Sequence, residues 1–496
     1  MPTGWAPRDV PRPHPRPRSA EHRGGGVWPR LHPPRPGPGG APHAGRCGPE
    51  RDATTMRAGR TRHARSPAGG DAVPRVPAPW PTSDRGVPMN DSAASADGPP
   101  SFPISRPATC PYRPSTRHTR LGESGPMTKV RLYNGRDAWL VTGAAQARAV
   151  LSDYRRVSIR PQHGNYPLLN EEFEKVVDSG YADVLFGVDP PEHTRQRQTI
   201  MPSFTMRRTA ELRDDIQRIV DDSLDDLVRS GKPADLVTRF AQPVPSMVMS
   251  LVLGVPYEDH EEFETPAHKL FVPELADEAT TELMAYLDRL IARKERDPGA
   301  GATGLIDDLI VDQLHPGKMS RDELAHIAMS MLVAGTDTTT NVISLGTLAL
   351  LDHPEQWRAL RDDLDLVPAA VEEILRYVSL VEVFARVAVE DIELDGGVIR
   401  AGEGILVSCA GVNFDPRFTD SPDDFDIRRP PRPSFSFSHG IHRCPGDNLA
   451  RLELEIAFRR LVERFPDLRS AVPTEELPSN NTDGTLQRLY ELPVTW

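Results

Sequence analysis

Apolar positions after residue 127 fall into periodic runs that the chain before it lacks. Leu449, Leu452, Ile456 and Leu461 recur close to a helical period, which predicts a helix with one buried face directly after Cys444-Pro445-Gly446. The longest such pattern runs from Asp322 to Leu351, with Ile327, Met331, Leu332, Ile343 and Leu350 marking its apolar faces. Val244 to Leu253 is apolar almost throughout and predicts a buried helix, and Ala144 to Leu151 predicts another. Residues 208–298 alternate helical patterns with breaks at Gly231-Lys232-Pro233, Gly254-Val255-Pro256 and Asp297-Pro298-Gly299. Val130 to Leu132 and Trp139 to Val141 predict short strands around Asn134-Gly135, a strong hairpin signal. No sequence repeat appears, which argues against solenoids and propellers.

Composition divides the 496 residues unevenly. Residues 1–88 hold 15 arginines, no lysine, 6 acids and 19 of the 51 prolines. Such a stretch buries too little apolar surface to offset its ordering entropy, so disorder is expected there. An Arg/Pro-rich tail suits an acidic surface or nucleic acid, but it lacks the interleaved aromatics or folded module that reads bases, so no nucleic-acid partner is expected. It also lacks the apolar core of a signal peptide. Translated upstream sequence, with the natural start at Met89 or Met127, is the favoured expectation. Residues 89–120 are expected to lie along the surface as an irregular lead-in to a catalytic body over 121–496. The whole chain carries a formal charge of −12 despite its basic start. No run approaches the ~18 apolar residues of a membrane helix, and Cys47, Cys110, Cys409 and Cys444 are too few and scattered for a disulfide framework. A cytoplasmic, non-membrane protein is expected.

The candidate chemistry centres on Phe437-Ser438-His439-Gly440-Ile441-His442-Arg443-Cys444-Pro445-Gly446. Pro445 suits a first helical turn. Cys444 then meets free backbone N–H groups and the positive end of a helix dipole, which favour a thiolate. A thiolate so placed is able to serve as an axial ligand to haem iron; a buried structural cysteine is the plain alternative. The stretch resembles the haem-binding signature of the cytochrome P450 superfamily. Phe437, Gly440, His442, Cys444 and Gly446 match its fixed positions, and Ser438 stands where the family usually has glycine.

That resemblance reverses the reading of two other segments. In Asp189-Pro190-Pro191-Glu192-His193-Thr194-Arg195-Gln196-Arg197, His193 and Arg197 lie four apart on one helical face. Alone they read as a solvated charged face; by resemblance they hold haem propionates. Within the long helix, Ala334-Gly335-Thr336-Asp337-Thr338-Thr339-Thr340 spends helix propensity and desolvation on glycine, hydroxyls and an acid. It resembles the family's oxygen-helix motif. Gly335 is then expected to leave room for dioxygen, Thr338 to hydrogen-bond the bound oxygen, and Asp337 to feed protons from solvent.

Further along, Glu373 and Arg376 form a Glu-x-x-Arg pair, weak alone, which matches the family's structural pair, with Arg429 as the expected third partner. Arg386 opens a strand-like run, and by resemblance it and His442 reach a propionate. Phe414 stands where many relatives have arginine. Tyr166, Leu168, Leu169, Phe173, Leu185 and Phe186 are candidate pocket residues in an irregular stretch, with loop packing the alternative. Residues 257–297, including Phe263, Phe271, Leu275, Leu283 and Tyr286, match the family's mobile lid. Thr485 or Leu486 is expected to face the pocket from a turn-rich hairpin.

The resemblance implies the mainly α cytochrome P450 fold with small β-sheets, haem b (iron protoporphyrin IX), and monooxygenation of a small lipophilic substrate by O2. With no attached flavin or iron–sulfur domain, a monomer fed by a ferredoxin and ferredoxin reductase is expected. Arg428, Arg429, Arg432 and Arg443 offer a basic docking patch. A peroxide-driven peroxygenase and a non-catalytic haem-based sensor are the alternatives. The Asp337–Thr338 pair favours dioxygen activation.

Overall fold

Five strands form the main sheet: β1 (Met127–Arg131), β2 (Asp137–Val141), β3 (Val157–Ser158), β4 (Val383–Ala388) and β5 (Gly404–Ser408). Their order is β1-β2-β5-β4-β3, with β2 and β5 parallel and the other pairs antiparallel. All five residues of β5 are buried, as a central strand covered on both faces requires. Arg386 stands opposite Ile405 in this sheet. The computed structural model describes residues 98–171, 174, 184–269, 275–297, 303–480 and 486–496.

The helices that place the site are α1 (Thr116–Arg120), α2 (Ala144–Ser152), α3 (Glu192–Ile200), α4 (Arg213–Arg229), α5 (Pro243–Leu253), α6 (His260–Lys269), α7 (Ala276–Arg296), α8 (Arg321–Asp352), α9 (Val367–Val378) and α10 (Asp447–Arg464). Ser320 caps α8, its Oγ accepting from the Glu323 amide, and Asp322 and Glu323 suit the positive end of the dipole. Helix α8 is buried on most sides because α5, α7, α9 and α10 all pack on it. That explains a helix apolar nearly all round. Near the C-terminus, β6 (Ser479–Asn480) pairs with β7 (Arg488–Leu489). No helix among the described residues is long and apolar enough to cross a membrane.

The lead-in corrects one expectation. Arg106 is buried and donates to Val378 O at 2.8 Å, Ser379 O at 2.9 Å and Glu382 Oε1 at 2.9 Å. Tyr112, Arg113 and His118 are buried as well. Residues 98–120 are therefore part of the folded body, tied to the segment between α9 and β4. The signal was missed because these contacts join positions about 270 apart in sequence, and no local period reports them. The basic segment 1–88, Met89, Phe173, Phe271 and Thr485 lie outside the described residues.

Candidate functional site

The cysteine loop is built from short turns. Cys444 N–H donates to Phe437 O at 3.0 Å and Arg443 N–H to Gly440 O at 3.1 Å. Gly440 has φ of 73°, and a Cβ there would overlap the Leu151 carbonyl of α2; only glycine meets both demands. Ser438, by contrast, adopts φ 61° and ψ −168°, a region nearly reserved for glycine. Its Oγ is buried without a hydrogen-bond partner among the described residues. The sequence departure at this position is thus a strained one. Ser438→Gly is expected to raise the unfolding free energy by about 1 kcal/mol: about 1–3 of strain relieved, less about 0.5–1 of added chain entropy. Urea unfolding checks this.

Helix α10 starts at Asp447, capped by Gly446, so Pro445 precedes the helix rather than opening it. The Gly446 amide points its hydrogen bond at the Cys444 thiol. Even so, desolvation pushes that thiol up to about 11, against the lowering influence of Gly446, Arg197 and Arg451. The helix-end N–H groups alone do not make a thiolate here. The guanidinium of Arg451 lies 4.6 Å over the Phe437 ring and is paired with Glu372 and Asp447, which fixes the loop's outer side.

Beside the cysteine, two imidazoles and two guanidiniums gather. The rings of His193 on α3 and His442 lie 4.0 Å apart. Arg197 Nη2 donates to Arg443 O at 2.6 Å, and Arg386 Nη1 donates to Ala385 O at 2.7 Å. Among the described residues none of the four is paired with a carboxylate. Desolvation, the largest cause for each, pushes His193 down to about 4 and His442 down to about 2, and the neighbouring cations lower both further. Arg386 and Arg197 are also lowered, again chiefly by burial. A buried group of this sign is costly unless an anion joins it.

In protein prepared free of bound anions, His442 is expected to make the fold acid-sensitive. Its folded value lies below the ordinary 6.5, so the unfolded chain binds the extra proton first. The contribution is complete above about pH 6.5 and is lost as pH falls. His442→Asn is expected to flatten the fall in unfolding free energy by about 1.4 kcal/mol per pH unit between about pH 6 and 4. Urea titrations of both proteins at each pH check this.

On α8, Thr338 Oγ1 donates to Ala334 O at 2.7 Å. Ala334 and Thr338 therefore share a half-buried face, with the hydroxyl proton turned back to the helix. A Cβ on Gly335 would overlap the Met249 thioether of α5. The missing side chain makes room for the packing of α5 on α8 at this point. Gly335→Ala is expected to lower the unfolding free energy by about 1–3 kcal/mol through overpacking, as urea unfolding reads. Asp337 is buried; its Oδ2 accepts from Arg488 Nη2 at 2.9 Å and its Oδ1 from Asn341 Nδ2 at 2.9 Å. Asn341 carries a local signal, four residues on from Asp337. Arg488 carries none, being 151 positions away.

Glu373 takes Arg376 and Arg429 together: Oε2 accepts from Arg376 Nε at 2.8 Å and from Arg429 Nε at 3.1 Å. Arg376 stacks 5.1 Å over the Phe414 ring, so Phe414 packs against this network. Leu169 and Leu185 belong to the hydrophobic core, and Phe186 is 37% exposed. Tyr166 remains beside Arg386 and is pushed up to about 12 by burial. Phe263, Leu283 and Tyr286 are likewise buried, the Phe263 and Tyr286 rings 5.9 Å apart between α6 and α7. Leu486 is partly buried and bridges to Val381. Sequence reasoning passed over Glu453 on α10, buried with Oε1 unpartnered among the described residues and pushed up to about 8 by desolvation. It sits on the apolar period and gives no local signal.

The cytochrome P450 family profile matches residues 272–488. Pentalenic acid synthase of Streptomyces avermitilis is 47% identical over 412 residues, which cover 82% of this chain and 100% of that protein. Vitamin D3 dihydroxylase of Streptomyces griseolus is 44% identical over 402 residues, 80% of this chain and 97% of that one. Among solved structures, cytochrome P450 MoxA from Nonomuraea recticatena is similar with a TM-score of 0.75 and 39% identity, covering 80% of this chain and 98% of that chain.

Proposed function

Because this chain belongs to the cytochrome P450 family, we propose that it hydroxylates or epoxidises a lipophilic natural product or foreign compound in the cytoplasm, as a monomer served by a ferredoxin and its reductase. The reaction class is monooxygenation and the cofactor is haem b. One atom of O2 enters the substrate, and the other leaves as water with two protons and two electrons.

The residues present fit the haem. A cofactor with two carboxylates answers the charge of Arg197 and Arg386, neither paired with a carboxylate among the described residues, and offers acceptors to the neutral imidazoles of His193 and His442; this is the observation that carries the reading. Cys444 would hold the iron through its sulfur, since a coordinated cation would deprotonate a thiol that burial otherwise keeps neutral. When bound, the haem iron supplies the activation of dioxygen. Thr338 holds its hydroxyl proton on the Ala334 carbonyl, which leaves the oxygen lone pairs to accept a hydrogen bond from a water. Asp337 takes protons at its carboxylate from the solvent side and passes them towards Thr338. Names such as vitamin D3 dihydroxylase and pentalenic acid synthase support a lipophilic substrate.

For the electron donor, the basic surface is smaller than the sequence suggested. Arg429 is committed to Glu373 and Arg443 to Asp447. Arg428 and Arg432 are exposed, and Arg148 of α2 lies over the Phe418 and Phe435 rings. These three, with the outward part of Arg443, support docking of an acidic ferredoxin whose affinity falls with salt. A panel of terpenoids and macrolides is screened by the shift of the haem Soret band. The compound that shifts it most is then turned over under ¹⁸O-labelled dioxygen with ferredoxin, reductase and NAD(P)H. One labelled oxygen per product is expected. Unlabelled product would sink the reading.

A further inference from the structure

The strand β7 end meets α8 at the acid rather than at an apolar face. Arg488 Nη2 reaches Asp337 Oδ2 at 2.9 Å and its Nε reaches Oδ1 at 3.4 Å, so one edge of the guanidinium spans both carboxylate oxygens. One residue on, Leu489 N–H donates to Asn341 Oδ1 at 3.2 Å. Asn341 Nδ2 in turn donates to Asp337 Oδ1 at 2.9 Å and to Asp337 O at 2.8 Å. The Asp337 side chain is 7% exposed and that of Arg488 20%. Two consecutive residues of a two-residue strand are therefore spent on fixing one acid and its i+4 neighbour.

The other end of this strand is anchored as well. Gln487 Nε2 donates to Glu382 Oε1 at 3.2 Å, and Gln487 N–H to Leu380 O at 3.4 Å. Leu486 bridges to Val381. Glu382 is held by Arg106, and it directly precedes β4, which carries Arg386. The arginine thus acts from a braced position.

We propose that Arg488 is a positioning residue for proton delivery: it fixes the Asp337 carboxylate in the orientation from which α8 hands protons towards Thr338. The inference rests on the reading of Asp337 as the proton donor. All side-chain partners of Asp337 are N–H donors, the set that a carboxylate accepts. To hand on a proton the acid must first carry one, and an oxygen that carries a proton is a much weaker, uncharged acceptor for Arg488. One contact is then weakened while Asn341 keeps the other oxygen in place. A bidentate, planar donor suits this task, since it sets orientation as well as charge.

The test uses the haem-loaded full chain with the panel compound that shifts the Soret band most. Asp337→Asn, Arg488→Ala, Arg488→Lys and the Arg488→Ala/Asp337→Asn double variant are compared. Substrate Kd from the Soret shift and the thermal unfolding midpoint are read beside kcat and the share of electrons lost to hydrogen peroxide. Misorienting a reacting group is expected to lower kcat about tenfold or more in Arg488→Ala, with Kd unchanged and more peroxide released. Arg488→Lys is expected to recover part of the loss, and the double variant to be no slower than Asp337→Asn alone, because Arg488 acts only through the acid. An Arg488→Ala effect that multiplies onto that of Asp337→Asn, or one that appears in Kd and not in kcat, overturns the proposal. So does unchanged coupling in a folded Arg488→Ala. If Arg488→Ala does not fold, the Lys variant decides: a kcat and peroxide yield equal to wild type overturn it. Failure of the underlying reading looks different, since Asp337→Asn would then itself turn over normally.

Discussion

Glu373→Ala is expected to lower the unfolding free energy by about 3–5 kcal/mol, the penalty for stranding buried charge. Glu373 is 3% exposed and all its lone-pair capacity is used. Oε1 accepts from Arg376 Nη2 at 2.8 Å and from the Asp426 amide at 2.9 Å, while Oε2 takes Arg376 Nε and Arg429 Nε. Removing the carboxylate leaves the Arg376 guanidinium, 5% exposed as a residue, with carbonyl partners only: Asn413 O, Pro422 O and Asp424 O. Arg429 shares the Asp424 carbonyl and also reaches Ser421 O and Asp420 O. The network thus gathers residues 413–429 onto α9. It continues to the cysteine loop, where Ser436 Oγ donates to Leu375 O at 2.6 Å and Phe435 N–H to Asn413 Oδ1 at 2.9 Å. Loss of haem retention is expected to accompany the loss of stability. Urea unfolding and the haem-to-protein absorbance ratio measure the two effects. Unchanged values for both would show that this network does not support the loop.

Asp337→Asn is expected to lower product formation about 10²-fold, the lower end of what a positioned proton donor contributes. The substitution keeps the shape of the side chain and most of its contacts with Asn341, so folding and substrate affinity are expected to stay close to wild type. The pair with Arg488 is lost, but Arg488 keeps some access to solvent, and a solvated cation is tolerated far better than a buried one. The readout is product per NAD(P)H consumed, with the Soret shift reporting binding separately. An effect confined to binding would remove Asp337 from proton delivery.

Sequence reasoning reached far where a period or a spaced motif carried the information. Helix α8 follows from its apolar faces, and the β1–β2 hairpin from Asn134-Gly135. Cys444, Gly440 and His442 stand in one short stretch, and the structure gives Gly440 a steric reason in the Leu151 carbonyl. His193 and Arg197 are legible as one helical face from their spacing, but only the family resemblance, not any local pattern, groups them with Arg386 of β4 and His442 of the cysteine loop. What was not legible is what depends on distant pairing. Arg106 reaches Glu382 across 276 positions and Arg488 reaches Asp337 across 151; neither has a periodic neighbour to announce it. Gly335 is legible as a glycine that costs helix propensity, while its neighbour Met249 on α5 carries no local signal. Leu169 and Leu185 belong to the core clusters, and in an irregular stretch apolar residues look the same in sequence whether they line a cavity or fill the core.

The most direct test of haem-thiolate ligation is the carbon-monoxide difference spectrum of the reduced protein, recorded beside Cys444→Ala. A Soret band at the long wavelength diagnostic of a thiolate ligand, lost in the Cys444→Ala protein, is the expected result. A band at the shorter wavelength typical of an imidazole or neutral thiol ligand, in protein that is folded and unchanged by the substitution, would contradict it.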